Sequence, residues 1–394
     1  MNDLNTLNLK LSSLAIFRSL LKTPVIIAFE NLVSKIGDLS VSVKLYTEFV
    51  SELYHYYDNF SDYLFNYVLE DENFYIKAKA SGENVDDIVE TALLNELAVL
   101  QELSRLQPSD VTSHIKYDGF LPGWNTSEYD FASSYKERLL NISQCGFGFF
   151  SKYHMFTISG EKIVPVKFHD QISLSSFSGY DREREVVIKN TAALLDRGGA
   201  SNILLYGDAG TGKSSTVKAI VNHFYYKGLR LIEVKKHQLF LLPDILEQLA
   251  DNPLKFILFI DDLSFMQNDD NFTALKAYLE GSVSARSNNV VIYATSNRRH
   301  LVKEKFSDRD GDEIHVNDLL QEIMGLSARF GLTVTFQKPD KDAYLSIVRH
   351  IAKEYGIAED ERLIKSAEAF ALRNNGRSPR TAKQFIELLK SDLY

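Results

Sequence analysis

Residues 202–216 read NILLYGDAGTGKSST. Four apolar or aromatic residues, Ile203 to Tyr206, run straight into Gly207-Asp208-Ala209-Gly210-Thr211-Gly212-Lys213-Ser214-Ser215. This is G-x-x-x-x-G-K-[ST] behind a strand. Wrapping a phosphate chain requires successive backbone N–H groups to approach it closely, and residues without a Cβ permit that approach, hence the glycines. A helix starting near Ser214 would direct its positive N-terminal end at the anion. Lys213 would supply a mobile cation for the outer phosphates, and the Ser214 hydroxyl a ligand for Mg²⁺. As part of an exposed loop, Lys213 is expected to serve the phosphates rather than the core.

Working outward from that loop, the 394 residues suggest more than one domain, because single cores stop growing near ~250–300 residues. A composition of 45% hydrophobic and 25% charged residues is that of a globular chain. The longest apolar runs, Val25 to Phe29 and Phe256 to Ile260, fall far short of the roughly 18 residues of a membrane span. The first 22 residues lack the pattern of a secretory leader, and the single Cys145 has no partner for an internal disulfide. A cytoplasmic protein is expected. Its scattered histidines and lone cysteine provide no zinc site.

The charge is uneven. Residues 1–170 carry 14 Lys and Arg against 23 Asp and Glu, whereas residues 171–394 carry 30 of each, so the net charge of -9 lies entirely in the first part. Nucleic-acid binding relies on a basic surface and has no support here. A protein partner for the acidic part is compatible with this balance.

That first part reads as helical. Leu4, Leu7, Leu11, Leu14, Phe17 and Leu21 step by threes and fours, as do Leu45, Phe49, Leu53, Tyr56, Phe60, Leu64 and Tyr67. The second stretch adds Tyr46, Tyr54, Tyr57, Tyr63 and Phe65 on other faces. It reads either as a partner-binding surface or as a helix buried on more than one side, and we take the latter. Residues 85–106 and 131–142 predict further helices. A loop is expected at 117–127, which holds the only tryptophan, and an aromatic turn at Gly146 to Phe150. A small hairpin is expected around Ser159-Gly160.

After Ser176 the pattern becomes alternating strand and helix. Two acids, Asp261 and Asp262, close the apolar run that starts at Lys255, and this is where a carboxylate is delivered to a bound Mg²⁺. Near the C-terminus, Ser378-Pro379-Arg380 predicts a helix start by cap and proline. Arg380 then sits in a first turn that favours acids, which points to a role other than helix stability.

Together, the loop GDAGTGKSS, a further strand before FILFIDD, VVIYATSN at 290–297 and SARF at 327–330 resemble the AAA+ ATPases over residues 176–394. Within that superfamily the strings LLYGDAGTGKSS, FILFIDDLSF and YATSNRRHL resemble a bacterial group of uncharacterised AAA+ ATP-binding proteins. The resemblance implies a P-loop α/β domain, a parallel sheet flanked by helices, over residues 171–338. It further implies a helical lid over 339–394, behind a mainly helical domain at 1–170. It assigns Asp261 to Mg²⁺ and Asp262 to the attacking water, although most of the superfamily has the longer glutamate there. Either the water sits closer or hydrolysis is slow and switch-like. Asn297 resembles the polar sensor beside the γ-phosphate, Arg380 the lid sensor with Arg377 as alternative, and Arg329 the arginine finger offered to a neighbouring subunit. Arg298 and Arg299 are rivals for that last role. The reaction implied is ATP hydrolysis, with ATP preferred over GTP because no N-K-x-D sequence is present. A finger acting in trans implies self-assembly into a ring or chain. The region Lys235 to Asp244, KKHQLFLLPD, has Phe240 but lacks the glycine of a protein-translocating pore loop, which weakens a remodelling-motor reading. SARF also resembles replication initiators and helicase loaders.

Overall fold

The computed structural model describes residues 2–197, 199–263, 275, 276, 279, 288–297, 329–374, 376–391 and 393. The chain divides into two compact units, Met1–Lys152 with Asp251–Pro253, and Tyr153–Ala250 with Leu254–Tyr394.

The first unit is a helical bundle whose main members are Asn2–Ser12, Pro24–Lys35, Leu39–Tyr54, Phe60–Glu70, Asp87–Ser104 and Phe131–Leu140. Two stretches that look continuous in sequence are broken here. The stripe from Leu4 leaves the helix at Ser12, because the buried Glu96 carboxylate accepts the N–H groups of Ala15 at 2.8 Å, Ile16 at 3.0 Å and Phe17 at 3.1 Å. Those donors are therefore withdrawn from helical carbonyls, while Leu14 and Phe17 still reach the core. The stripe from Leu45 breaks at 55–59, and Asn59 caps the next helix by accepting Asp62 N–H at 3.2 Å. Phe49, Phe60 and Trp124 then meet edge to face, with Phe49 5.4 Å from Phe60 and 5.2 Å from Trp124. The helices are indeed buried on more than one side, yet Tyr54, Tyr56 and Tyr57 at the break are exposed.

The second unit is built on one seven-stranded sheet: β1 (Met155–Ser159), β2 (Lys162–Pro165), β3 (Ile203–Gly207), β4 (Leu229–Glu233), β5 (Lys255–Ile260), β6 (Val290–Asn297) and β7 (Leu332–Phe336). Their order is β2-β1-β4-β5-β6-β3-β7, all neighbours parallel except β1 with β2. Buried β5 and β6 are nearly uninterrupted apolar runs, as a sheet covered on both faces requires. The expected hairpin around Gly160 forms, β1 pairing antiparallel with β2, and through Met155, Phe156 and Thr157 its first strand pairs with β4 and joins the sheet. The sheet thus starts before residue 171. Helices Lys341–Glu354, Glu361–Arg373 and Pro379–Lys390 form their own core around Tyr344, Phe370 and Phe385. This is a P-loop α/β architecture, a mostly parallel sheet flanked by helices and followed by a helical C-terminal region. The sequence also predicts a helix over residues 316–324, which lie outside the described residues. Among the described residues no helix is long and apolar enough to cross a membrane.

The strand order positions the site. From β3 the chain moves out to β4 and returns through β5 and β6, so β3 ends between two strands that are not its sequence neighbours, β6 and β7. In open α/β sheets ligands bind beyond the carboxyl ends of the strands at such a switch point.

Candidate functional site

The phosphate-type loop leaves β3 at Gly207, which lies level with Asn297 on one side and Phe336 on the other. Gly207 has φ +143°, and a Cβ there would strike the Phe336 carbonyl. That carbonyl accepts the Asp208 N–H at 3.1 Å, and the Asp208 carboxylate accepts Lys338 N–H at 3.1 Å. Thr211 Oγ1 closes the loop onto Asp208 O at 2.9 Å. Gly212, at φ +89°, caps helix Lys213–Phe224. Ala209 is exposed on the crest, and Ser215 is half-buried in the first helical turn.

Contrary to the expectation of an exposed loop lysine, Lys213 is 6% exposed. Its ammonium donates to Gly207 O at 3.1 Å, Asp208 O at 2.7 Å and Asn297 Oδ1 at 3.0 Å. Burial pushes its pKa below the ordinary lysine value, with Asp208, Asp261 and Asp262 pulling the other way and Arg380 adding to the decrease. A desolvated cation held by neutral acceptors is primed for an anion.

Register delivers the acids. Ile260 pairs with Ala294, so the next residues, Asp261 and Thr295, stand side by side. Asp261 Oδ1 accepts Thr295 Oγ1 at 2.5 Å and Ser214 Oγ at 2.6 Å. Asp262 has φ +51°, a left-handed conformation that few non-glycine residues adopt, and its N–H donates to Thr295 Oγ1 at 2.9 Å. This turn directs its carboxylate to Asn297 Nδ2, 2.8 Å away. Lys213, Ser214, Asp261, Asp262 and Asn297 thus form one cluster at the switch point. Thr295 joins the two acids and was not singled out in the sequence. Only the strand register identifies it. Ser214 and Asp261 offer adjacent hard oxygens suited to Mg²⁺, which uses few protein ligands and fills its octahedron with phosphate and water oxygens. Among the described residues no group of three or more His, Cys, Asp or Glu forms a metal cage.

The arginines are placed differently from one another. Arg380 N–H donates to Gly210 O at 3.2 Å, which sets the exposed Arg380 side chain beside the loop. Arg377 is engaged elsewhere, 2.8 Å from Glu368. Arg329 lies three residues before β7, which starts at the end of the sheet remote from the loop, since Leu332 pairs with Ile203 and Phe336 with Gly207. At ~3.3 Å per residue, the four steps of β7 from Leu332 to Phe336 span about 13 Å. Arg298 and Arg299 lie outside the described residues.

A further segment beside the loop escaped sequence reasoning. Phe177 approaches Gly212, Gly179 packs on Ile347, and Tyr180, at φ +60°, stacks on Phe336 at 5.4 Å while donating to Gln337 O at 2.6 Å. The Arg184 guanidinium covers the Phe177 ring at 5.0 Å. The signal available was an aromatic–Gly–Tyr string just before a helix, which by itself is only a turn.

The model of a protein family, described as "Protein of unknown function (DUF815)", matches residues 151–393. The chain belongs to the DUF815 family. DUF815 in this protein therefore spans the whole seven-stranded sheet and the three C-terminal helices. No curated protein matches the chain. Among solved structures, the RuvB Holliday junction branch migration motor of Thermotoga maritima is 17% identical, with 56% of this chain and 64% of that chain covered and a TM-score of 0.37. AMPPCP-bound DnaA from Aquifex aeolicus is 18% identical over 57% and 67%, with a TM-score of 0.39. A structure described as the basis for katanin self-assembly is 17% identical over 57% and 72%, with a TM-score of 0.36. The chain spans under two thirds of the RuvB chain, and these distant likenesses carry no substrate or partner.

Proposed function

We propose that this DUF815 protein binds MgATP between the loop 207–215 and Arg380 and hydrolyses it by in-line attack of water. The observation that carries the reading is the hydrogen-bonded cluster of Lys213, Ser214, Asp261, Asp262 and Asn297 at the carboxyl end of β3. The loop N–H groups and Lys213 hold the phosphates, and Ser214 and Asp261 hold the cation. Mg²⁺ would neutralise charge developing on the phosphate oxygens. Asp262 and Asn297 orient water, and Arg380 adds positive charge from the lid. Phe177, Tyr180 and Ile347 form the apolar side suited to a base. On this reading residues 339–394 act as a lid on the sheet, and the first unit serves a partner.

Because Arg329 lies at the far end of its own sheet, we assign it to the site of a second copy. The chain then works as a homo-oligomer. The test of nucleotide binding is titration with a fluorescent ATP analogue of wild type and of Lys213→Ala and Lys213→Met, each with its melting temperature. Loss of binding in a folded variant is expected, and wild-type affinity would overturn the site assignment. Lys213 is buried, so Lys213→Met keeps its stem packed if Lys213→Ala alone proves unstable.

A second reading, a nucleotide-dependent switch with slow turnover, is favoured by one observation. The Asp262 carboxylate is short and is already engaged by Asn297 Nδ2 at 2.8 Å. Phosphate release well below one turnover per minute by an ATP-saturated, assembled protein would select it.

A further inference from the structure

We propose that the exposed tyrosine and phenylalanine face of the first unit is a docking surface for a lysine- and arginine-bearing segment of a partner protein. This goes beyond the nucleotide reading and does not depend on it.

Two stretches build the face. Residues 46–60 and 122–127 are tied together: Asn125 N–H donates to Asp58 O at 2.8 Å, Phe60 N–H to Asn125 O at 3.0 Å, Tyr46 Oη to Pro122 O at 2.7 Å, and Tyr54 Oη to Gly123 O. The loop that follows Ile115 is thereby anchored where it re-enters the core at Trp124, whose Nε1 donates to Leu106 O at 2.9 Å. At its crest Phe120 is 87% exposed. A hollow opens on each side of this loop, one lined by Val50, Tyr54 and Pro122, the other by Ile115, Tyr117 and Leu121. Tyr56 and Tyr57 extend the surface, both exposed and leaning on the buried Tyr63 at 5.8 and 6.4 Å.

Single exposed apolar residues are ordinary, but a group of aromatics held on a pinned backbone between two hollows is the arrangement of an interface hot spot. Pinning also lowers the ordering cost of association. The charge selects the occupant. Within residues 44–60 and 116–127, which build the face, Glu48, Glu52, Asp58 and Asp118 outnumber Lys44 and Lys116. Such a rim repels nucleic acid and anionic membranes. Tyrosine faces bordered by carboxylates instead favour guanidinium and ammonium groups, by cation–π contact and charge pairing together.

The test pans a phage library of random peptides, each about a dozen residues long, on the full chain, then measures enriched peptides by fluorescence anisotropy. Enriched sequences should carry net positive charge with at least one apolar residue, and their binding should weaken with added salt. The combined variant Phe120→Ser, Tyr56→Ser, Tyr57→Ser should lose about tenfold or more in affinity, in line with removing a hot spot. Glu48→Lys with Asp118→Lys leaves the aromatics in place and should weaken binding as well, which keeps the charge argument testable if the aromatic variant proves unstable. Lys213→Ala should bind the peptides like wild type. Neutral or acidic enriched sequences, no enrichment above a bare support, or full binding by both folded variants would each overturn the proposal.

Discussion

Replacing Thr295 with valine tests the carboxylate arrangement without changing side-chain volume. The Thr295 hydroxyl is 2% exposed as part of its residue and makes two bonds, to Asp261 Oδ1 at 2.5 Å and from Asp262 N–H at 2.9 Å. A hydrogen bond to a charged group contributes about 1.5–3 kcal/mol, and the Asp262 N–H, which keeps a second acceptor in Asp261 Oδ1 at 3.2 Å, loses about 0.5–1.5 kcal/mol more. Both aspartates are themselves exposed, so water replaces part of the loss. The lower end applies, about 2–3 kcal/mol for the two together. At 1.36 kcal/mol per tenfold, that lowers the ratio of molecules with both acids in place to those without by roughly 30- to 150-fold. Because Lys213 and the glycine loop do not touch Thr295, affinity for nucleotide should change by less than about threefold, so kcat falls while binding holds. Thr295→Ser restores a hydroxyl and should recover most of the activity. The assay is steady-state phosphate release with ATP titration at saturating Mg²⁺. Turnover of Thr295→Val within twofold of wild type would refute the idea that this hydroxyl positions the acids. An equal loss in Thr295→Ser would assign the effect to packing instead.

Three more outcomes follow from the same cluster. Asp262→Asn should bind MgATP with near wild-type affinity and release phosphate at least about a hundredfold more slowly, as expected for loss of a group acting on water; unaltered turnover would require another base. Lys213→Ala and Arg329→Ala, each inactive alone, should regain partial activity when mixed, because the first offers its arginine to the intact site of the second; a co-assembled but inactive mixture would remove Arg329 from the trans role, where losing such a finger costs about 10³–10⁵. ATP affinity should fall with rising pH. Burial lowers the Lys213 pKa, so the free protein loses this proton below the ordinary lysine range of about 10.4, and binding must restore it. Lys213→Arg, always charged, should show no such decline, and parallel pH profiles would argue against Lys213 as the titrating group.

What could be read from the chain alone was whatever is local. The glycine spacing of 207–212, the lysine and hydroxyl after it, and the acids ending an apolar strand carry their chemistry in adjacent residues, because a phosphate loop is one turn of backbone. Helix caps such as Ser378 were legible for the same reason. Tertiary structure alone decided which residues face that loop. Thr295 lies 34 positions from Asp261 and meets it only through the pairing of β5 with β6. Gly179, Tyr180 and Ile347 come to the loop through helix and strand packing that no periodicity encodes. The same limit holds in the first unit. The three- and four-residue stripes correctly marked Leu14 and Phe17 as core, yet could not show that their helix had ended. The cause, the buried Glu96 carboxylate, comes from a helix some eighty residues away. Burial is written in the period of a sequence, whereas continuity of a helix depends on where its N–H groups find acceptors, and a distant acceptor is visible only once the chain has folded.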